Sequence, residues 1–522
     1  MGKHRSALRD PAGTLAAAFL LAVTALLALP SLYMLAGALW EGGRPTLAHL
    51  REAFSDPERP AELFANSAAV ALVALAVSLP LGVPAGFLAF RTDLPLRRPL
   101  VLGAVLAACV PLYVTANAWD ALCVGRLAGV AGAGLLTGVA YVPLVALLSG
   151  VSFSTTDADL EEAALLDGGR VAALRHAALP QAAWGIGAAA IVVVIFALSL
   201  RTVTDLLRVR AFAEEAFTQY QFSGRPWRAA AVSLPVAPLL FLLGFAAVTL
   251  LRRCGRATVA GGGRLARPWR LGRLRGALGL GCAVAASVFL LVPLGALARR
   301  VGGPGALSDA YTAIAPELWH TLRLSAVAAT CCVILAAPLA WLLVRIAPLR
   351  HVAGALLVLL VATPAPLVGI GLLMLLNRPG LAGRVADSPL ILILAYVIRT
   401  LPFAVLALLP SVRRLPRELL DAAALDGCDR TDTLLEVVLP LAWRGLIVAW
   451  FLAFVLCVAE NGASVLVVPA GTTTLTVRFF TEIHYGLYRH AAGMCVILLG
   501  VVILPGAALA ALLWRALRSR LA

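Results

Sequence analysis

Glu162-Ala163-Ala164, followed by Asp167-Gly168 and later by Leu179-Pro180, is a run of residue types that returns as Asp421-Ala422-Ala423, Asp426-Gly427 and Leu439-Pro440. In each copy, strong helix formers follow an acidic first turn, which suits the positive end of a helix dipole. Asp-Gly then signals a turn that breaks the helix. A second short apolar helix is expected after it, ended by Leu-Pro, with the proline in the first turn of the next helix. The chemistry offered here is contact rather than catalysis. Small side chains on a rigid helix let another protein's surface approach closely, and two copies suggest two equivalent partner subunits.

Other chemistries can be tested directly. A phosphate-binding loop needs G-x-x-x-x-G-K-[S/T]. Lys3 is the sole lysine and no such glycines precede it, so the chain has no P-loop, and any ATP hydrolysis belongs to another chain. The nine cysteines are scattered and only Cys331 and Cys332 are neighbours, so no spaced cluster argues for a metal site or a disulfide framework. No His/Asp/Glu grouping marks an enzyme site either. Carboxylates at mid-bilayer cost about 2.5–3.5 kcal/mol on insertion scales, which makes those in apolar segments functional candidates. Asp120, Asp205 and Glu460 fall near segment ends. Glu460-Asn461-Gly462 interrupts an apolar helix, and Gly462 could let the backbone open. These three and Asp205 are the candidates for lining a translocation path. Glu214 and Glu215 read as a solvated pair, and His484 and Tyr485 as packing residues rather than iron ligands. Arg323 and Arg399 are assigned no role.

The elements that must position these residues are membrane spans. Of 522 residues, 61% are hydrophobic and 13% charged, against about 45–50% and about 25% in soluble domains. Stretches long enough to cross a bilayer fall at residues 14–40, 63–90, 99–122, 130–151, 183–204, 229–251, 274–298, 320–344, 352–376, 389–410, 444–468 and 489–514. The first is too long for a secretory signal and reads as a retained span. The formal charge of +16 is almost wholly arginine. Without basic–aromatic runs it points to membrane lipid and positive inner loops, not to nucleic acid. Placing the arginine-rich stretches 91–99, 252–275 and the C-terminal tail inside puts both termini inside.

The chain also repeats. Pro84 and Arg91 recur as Pro338 and Arg345, both 254 residues later, and the acidic segments lie 259 residues apart. The reading is an all-α integral membrane protein of about twelve spans. Residues 1–251 form a first six-span half with its acidic loop at about 152–183. An Arg/Gly-rich cytoplasmic linker covers 252–275, and a second half covers 276–522 with its loop at about 411–443. An even number of spans per half makes the two halves parallel repeats.

On these residues the paired segments resemble the EAA loop of permeases of binding-protein-dependent ABC importers, of the type I (MetI-like) membrane fold. The second copy, with Asp421 in the place of Glu, has the full spacing. The first is one residue short between Gly168 and Leu179-Pro180. The resemblance implies that each loop is a coupling helix docking into a groove on an ATPase subunit. Two copies of that subunit and an extracytoplasmic substrate-binding protein would then be partners. ATP and Mg would be bound by the ATPase and no cofactor by this chain, in the inner membrane of a bacterium. The fused form is similar to ferric-iron, thiamine and aminoethylphosphonate permeases. The segment 460–486, with its "HYG", looks like the last outer loop of that subgroup, which favours ferric iron as substrate and leaves polyamine open. The competing class is an ion-coupled secondary transporter with two six-span halves.

Overall fold

The computed structural model describes residues 11–123, 126–199, 201–260, 268–345 and 349–518. The expectations for the two termini and for the middle of the linker fall on residues 1–10, 519–522 and 261–267, outside the described residues. The fold is all-α and multi-pass. Lipid offers no hydrogen bonds to a backbone, so apolar segments close their own as helices. Among the described residues nine helices are long and apolar enough to cross a membrane, or twelve when each of three bent pairs counts as one span. A short hairpin, Trp40–Glu41 with Arg44–Pro45, turns on Gly42 and Gly43, both at positive φ.

Each of the twelve expected segments contains helix, but the eleventh is interrupted at Glu460, the sixth is bent, and the third and ninth are bent most sharply. Arg97–Ala108 and Leu112–Cys123 meet at 101°, and Arg350–Ala362 and Ala365–Leu376 at 102°. Pro111 and Pro364 stand at the two breaks. Proline lacks an N–H and biases the residue before it away from helical backbone, so each segment splits. Arg399, assigned no role from sequence, donates to the Thr363 carbonyl at the second break at 2.8 Å. Pro226–Ser233 and Ala237–Ala260 form the third bent pair, and this last helix carries residues 252–260 of the expected linker.

The chain divides into two compact units. One contains residues 52–221, 232–313 and 481–522. Within it, Arg59–Arg91 packs on Gly129–Ser154 through glycines: a Cβ on Gly134 would lie 2.5 Å from the Val73 Cβ, and one on Gly86 2.4 Å from the Ala146 carbonyl oxygen. Small residues let helix backbones approach this closely in the membrane. The other unit contains residues 1–51, 222–231 and 314–480. Here Pro11–Gly37 lies against the bent pair 350–376, and Gly371 abuts the Pro30 carbonyl. The units thus cut across the halves of the sequence. Pro11–Gly37 is apolar on every side, so its own sequence does not select a neighbour.

Candidate functional site

The first acidic segment is the helix Ala158–Ala172. Asp157 caps it, its Oδ1 accepting from the N–H groups of Asp159 at 2.9 Å and Leu160 at 3.4 Å. The Asp157 N–H donates in turn to Gln181 Oε1 at 3.0 Å. The helix breaks at Gly168 and Gly169, and Gly169 has φ +69° with ψ −158°, a conformation that costs other residues about 1–3 kcal/mol. One face turns inward. Glu161 is 3% exposed, forms an ion pair with the equally buried Arg91, and accepts from Trp269 Nε1. The opposite face carries Glu162, Ala163, Asp167 and Gly168, all exposed, with Ala164 half-buried. Leu166 projects from it, 89% exposed.

The second segment is the helix Arg417–Leu425. Asp421, Ala422, Asp426 and Gly427 are exposed, while Ala423 is buried. Leu425, the counterpart of Leu166, is 88% exposed. Gly427 turns the chain at φ +85°. Asp429 then starts the next helix with a capping box, accepting from Thr431 and Asp432 at 2.7 Å while its own N–H reaches Asp432 Oδ2 at 3.3 Å. The residue missing from the first copy therefore belongs to this turn, where Gly169 replaces a capped Cys428-Asp429 connection. Glu161 has no acidic counterpart, since Leu420 occupies its place and is buried.

Leu179-Pro180 and Leu439-Pro440 do not end a helix, contrary to expectation. In both copies the chain runs through them into the next span by way of a π-turn, Ala173–Ala178 and Thr433–Val438. The Leu179 N–H bonds to the Leu174 carbonyl and the Leu439 N–H to that of Leu434. An α-helical proline lacks its bond and crowds the carbonyl four residues back, and a turn widened by one residue relieves that crowding. Pro180 and Pro440 are exposed, Leu179 also, and Leu439 is half-buried.

The path candidates lie in different units and are described separately. Asp205 bonds Arg201 at 2.8 Å and His484 Nε2 at 3.2 Å. Nearby, burial first and the Asp205 carboxylate second push the Glu214 carboxyl up to about 7, so it is not a freely solvated charge. In the other unit the helix Leu439–Ala459 stops at Glu460. The Glu460 carboxylate accepts from the N–H groups of Ala463 at 2.8 Å and Ser464 at 2.9 Å, capping the short helix Ser464–Val467. Asn461 is 2% exposed and neither polar atom of its amide has a hydrogen-bond partner. Gly462 serves close packing instead of an opening backbone, because a Cβ there would sit 2.3 Å from the Ala365 Cβ. Among the described residues no three His, Cys, Asp or Glu side chains gather where they could hold a metal ion.

The residues that sequence reasoning missed are Leu166, Leu425, Glu161, Arg91 and Trp269. The leucines were detectable as apolar residues directly before Asp-Gly in both copies. The pairing of Glu161 with Arg91 and Trp269 spans 70 and 108 residues and leaves no local signal.

Together these features define an all-α, multi-pass membrane fold with two exposed acidic helices joined to its spans. Residues 325–522 match the family described as binding-protein-dependent transport system inner membrane component. The chain is similar to a putative ABC transporter permease protein of Streptomyces antibioticus, 34% identical over 26% of this chain and 58% of that one. It is also similar to the spermidine/putrescine transport system permease protein PotB of Escherichia coli, 29% identical over 27% of this chain and 58% of the relative. With the molybdenum transport system permease protein ModB of Azotobacter vinelandii it shares 28% identity over 33% of this chain and 81% of the relative. The chain thus spans little more than half the length of the first two.

Proposed function

We propose that this chain is a membrane-spanning permease of an ATP-driven importer, its two acidic segments docking two copies of a separate ABC ATPase subunit. The observation that carries this is the pair Leu166 and Leu425. Each is an almost fully exposed leucine at the same position of a polar helix, immediately before a glycine turn. A large apolar side chain held in water on a rigid helix is suited to a partner's pocket. The continuous helix through each Leu-Pro gives such a contact a stiff connection to a span.

In this reading, Glu162, Ala163, Ala164, Asp167 and Gly168, with Asp421, Ala422, Ala423, Asp426 and Gly427, form the contact faces. Leu179-Pro180 and Leu439-Pro440 shape the joint behind them. Both termini and both segments lie on the cytoplasmic side of a bacterial inner membrane. ATP closes the ATPase pair, the segments are drawn together, and the spans open alternately to each side. An extracytoplasmic binding protein delivers the substrate. Ferric iron is favoured by the resemblance of the fused form and of residues 460–486. The names of the relatives add spermidine/putrescine and molybdenum to thiamine and aminoethylphosphonate as alternatives. Glu460, Asn461, Gly462 and Asp205 remain the path candidates, with Asn461 foremost for its unpartnered amide.

The test replaces Leu166 and Leu425 together by Asp in the full chain, co-expressed with the ABC ATPase that co-purifies with the wild type. ATPase should be lost while the chain still inserts and elutes as a single species. Retention of ATPase at the wild-type level would rule out docking through these segments. Replacing Glu162 and Asp421 by Arg should act in the same direction. Calorimetry of the binding protein against the short substrate panel decides the cargo.

A further inference from the structure

The end of the inter-half linker is bonded to the first acidic segment. Residues 92 and 269 form a parallel bridge: the Trp269 N–H donates to the Arg91 carbonyl at 2.8 Å and the Asp93 N–H to the Trp269 carbonyl at 3.0 Å. Asp93 Oδ1 accepts from the Leu271 N–H at 2.8 Å, and Arg275 Nε donates to the Asp93 carbonyl at 2.9 Å. The Trp269 ring stands edge-on to Phe87 at 5.5 Å, and its N–H reaches Glu161 on the segment itself. Between this strap and the helix lies an open cavity of about 240 Å³, walled by Glu162, Leu165, Arg170, Trp269 and Arg270. It adjoins the exposed Leu166. Glu161 is neutralised by Arg91, while Arg170 and Arg270 are both exposed at the cavity. Against these two cations stands the exposed Glu162, so the cavity's fixed charge is net positive by one.

We propose that Trp269 and Arg270 of the linker are part of the first docking surface, where Arg170 and Arg270 receive an acidic side chain of the ABC ATPase subunit. Trp269 is the positioning residue, holding linker and segment as one face through Glu161. The second segment has the buried Leu420 in the place of Glu161, so it offers no carboxylate at that position to hold such a strap. This rests on the docking reading above but goes beyond it, since that reading needs only the two segments.

The test uses the full chain and its co-purifying ATPase in two backgrounds. Leu425→Asp leaves binding to the first surface, and Leu166→Asp leaves it to the second. In the Leu425→Asp background, Arg270→Glu and Trp269→Ala should each lower retained ATPase about tenfold, the scale of a central interface residue. In the Leu166→Asp background each should change it less than about twofold. Trp269→Phe keeps a smaller aromatic ring and removes the N–H that reaches Glu161, so it should fall between wild type and Trp269→Ala. Equal losses in both backgrounds would mean that the strap serves only the fold, and the proposal fails. No loss in either background would also overturn it, with docking through the segments intact. If the Leu166→Asp/Leu425→Asp chain retains ATPase, or if none co-purifies with wild type, the docking reading itself falls and this proposal with it.

Discussion

The two acidic segments share their outer faces and differ in what holds them from behind. Leu166 and Leu425 are matched in position and exposure, each before a glycine turn and a π-turn. Behind the first, a buried ion pair and the strap from the linker fix the helix, and Asp157 joins its start to Gln181. Behind the second, a buried leucine does the packing and a capping box organises the turn. The difference teaches that a repeated exposed face can be preserved while its support is rebuilt from different interactions. It also locates the missing residue of the first copy in the turn, where a glycine at positive φ needs less chain than a capped connection.

The largest expected effect tests the shared part. Leu166→Asp and Leu425→Asp singly should weaken ATPase binding by similar amounts, about 2–4 kcal/mol each if they are hot spots, and together should abolish ATP-driven uptake in proteoliposomes. A large inequality between the single variants would break the equivalence of the two faces. Next comes the support. Glu161→Leu, which imitates the second copy, takes the carboxylate out of a buried ion pair and should cost about 3–5 kcal/mol, the scale of breaking such a pair. Thermal unfolding in detergent measures it; a loss below that of Leu420→Ala would remove the contrast. Smaller still are the turns. Gly169→Ala should cost about 1–3 kcal/mol through its backbone conformation, and Asp429→Ala about 1 kcal/mol through the lost cap. Hydrogen exchange should rise locally at residues 170–178 in one and 430–438 in the other.

The smallest effect concerns the end of the fifth span, where the halves differ again. There the second half uses Glu460 as a cap, whereas the first surrounds Glu214 with Asp205, Arg201, Thr218 and His484. With its pKa raised from 4.5 to about 7, Glu214 binds its proton more tightly in the folded protein than in the unfolded chain. Its contribution to stability is therefore present at low pH and declines as pH rises from about 4.5 to about 7. Glu214→Gln should flatten that part of the pH–stability curve. An unchanged curve would mean that Glu214 is solvated like an ordinary surface carboxylate.

Much of this was legible in the residues. The run of apolar segments was readable because lipid leaves helices as the economical backbone state, and the acidic segments because Glu-Ala-Ala and Asp-Gly are local signals of helix and turn. The bends at Pro111 and Pro364 were only half legible: the prolines are visible in sequence, but proline is tolerated inside membrane helices, as Pro143 and Pro293 are here. Leu-Pro was read as an end because a π-turn has no composition of its own.

By itself, then, the sequence determined the all-α multi-pass class, the two repeated acidic helices and the absence of a nucleotide-binding loop. These follow from residue type, period and spacing over a few turns of chain. Tertiary structure alone decided that Pro11–Gly37 packs with residues 314–480, that Gly462 makes room for Ala365, and that Trp269 closes back onto Glu161 and Arg91. Those choices join residues far apart in the chain. They are set by which surfaces fit and which buried charges find partners, and no local pattern of residues encodes either.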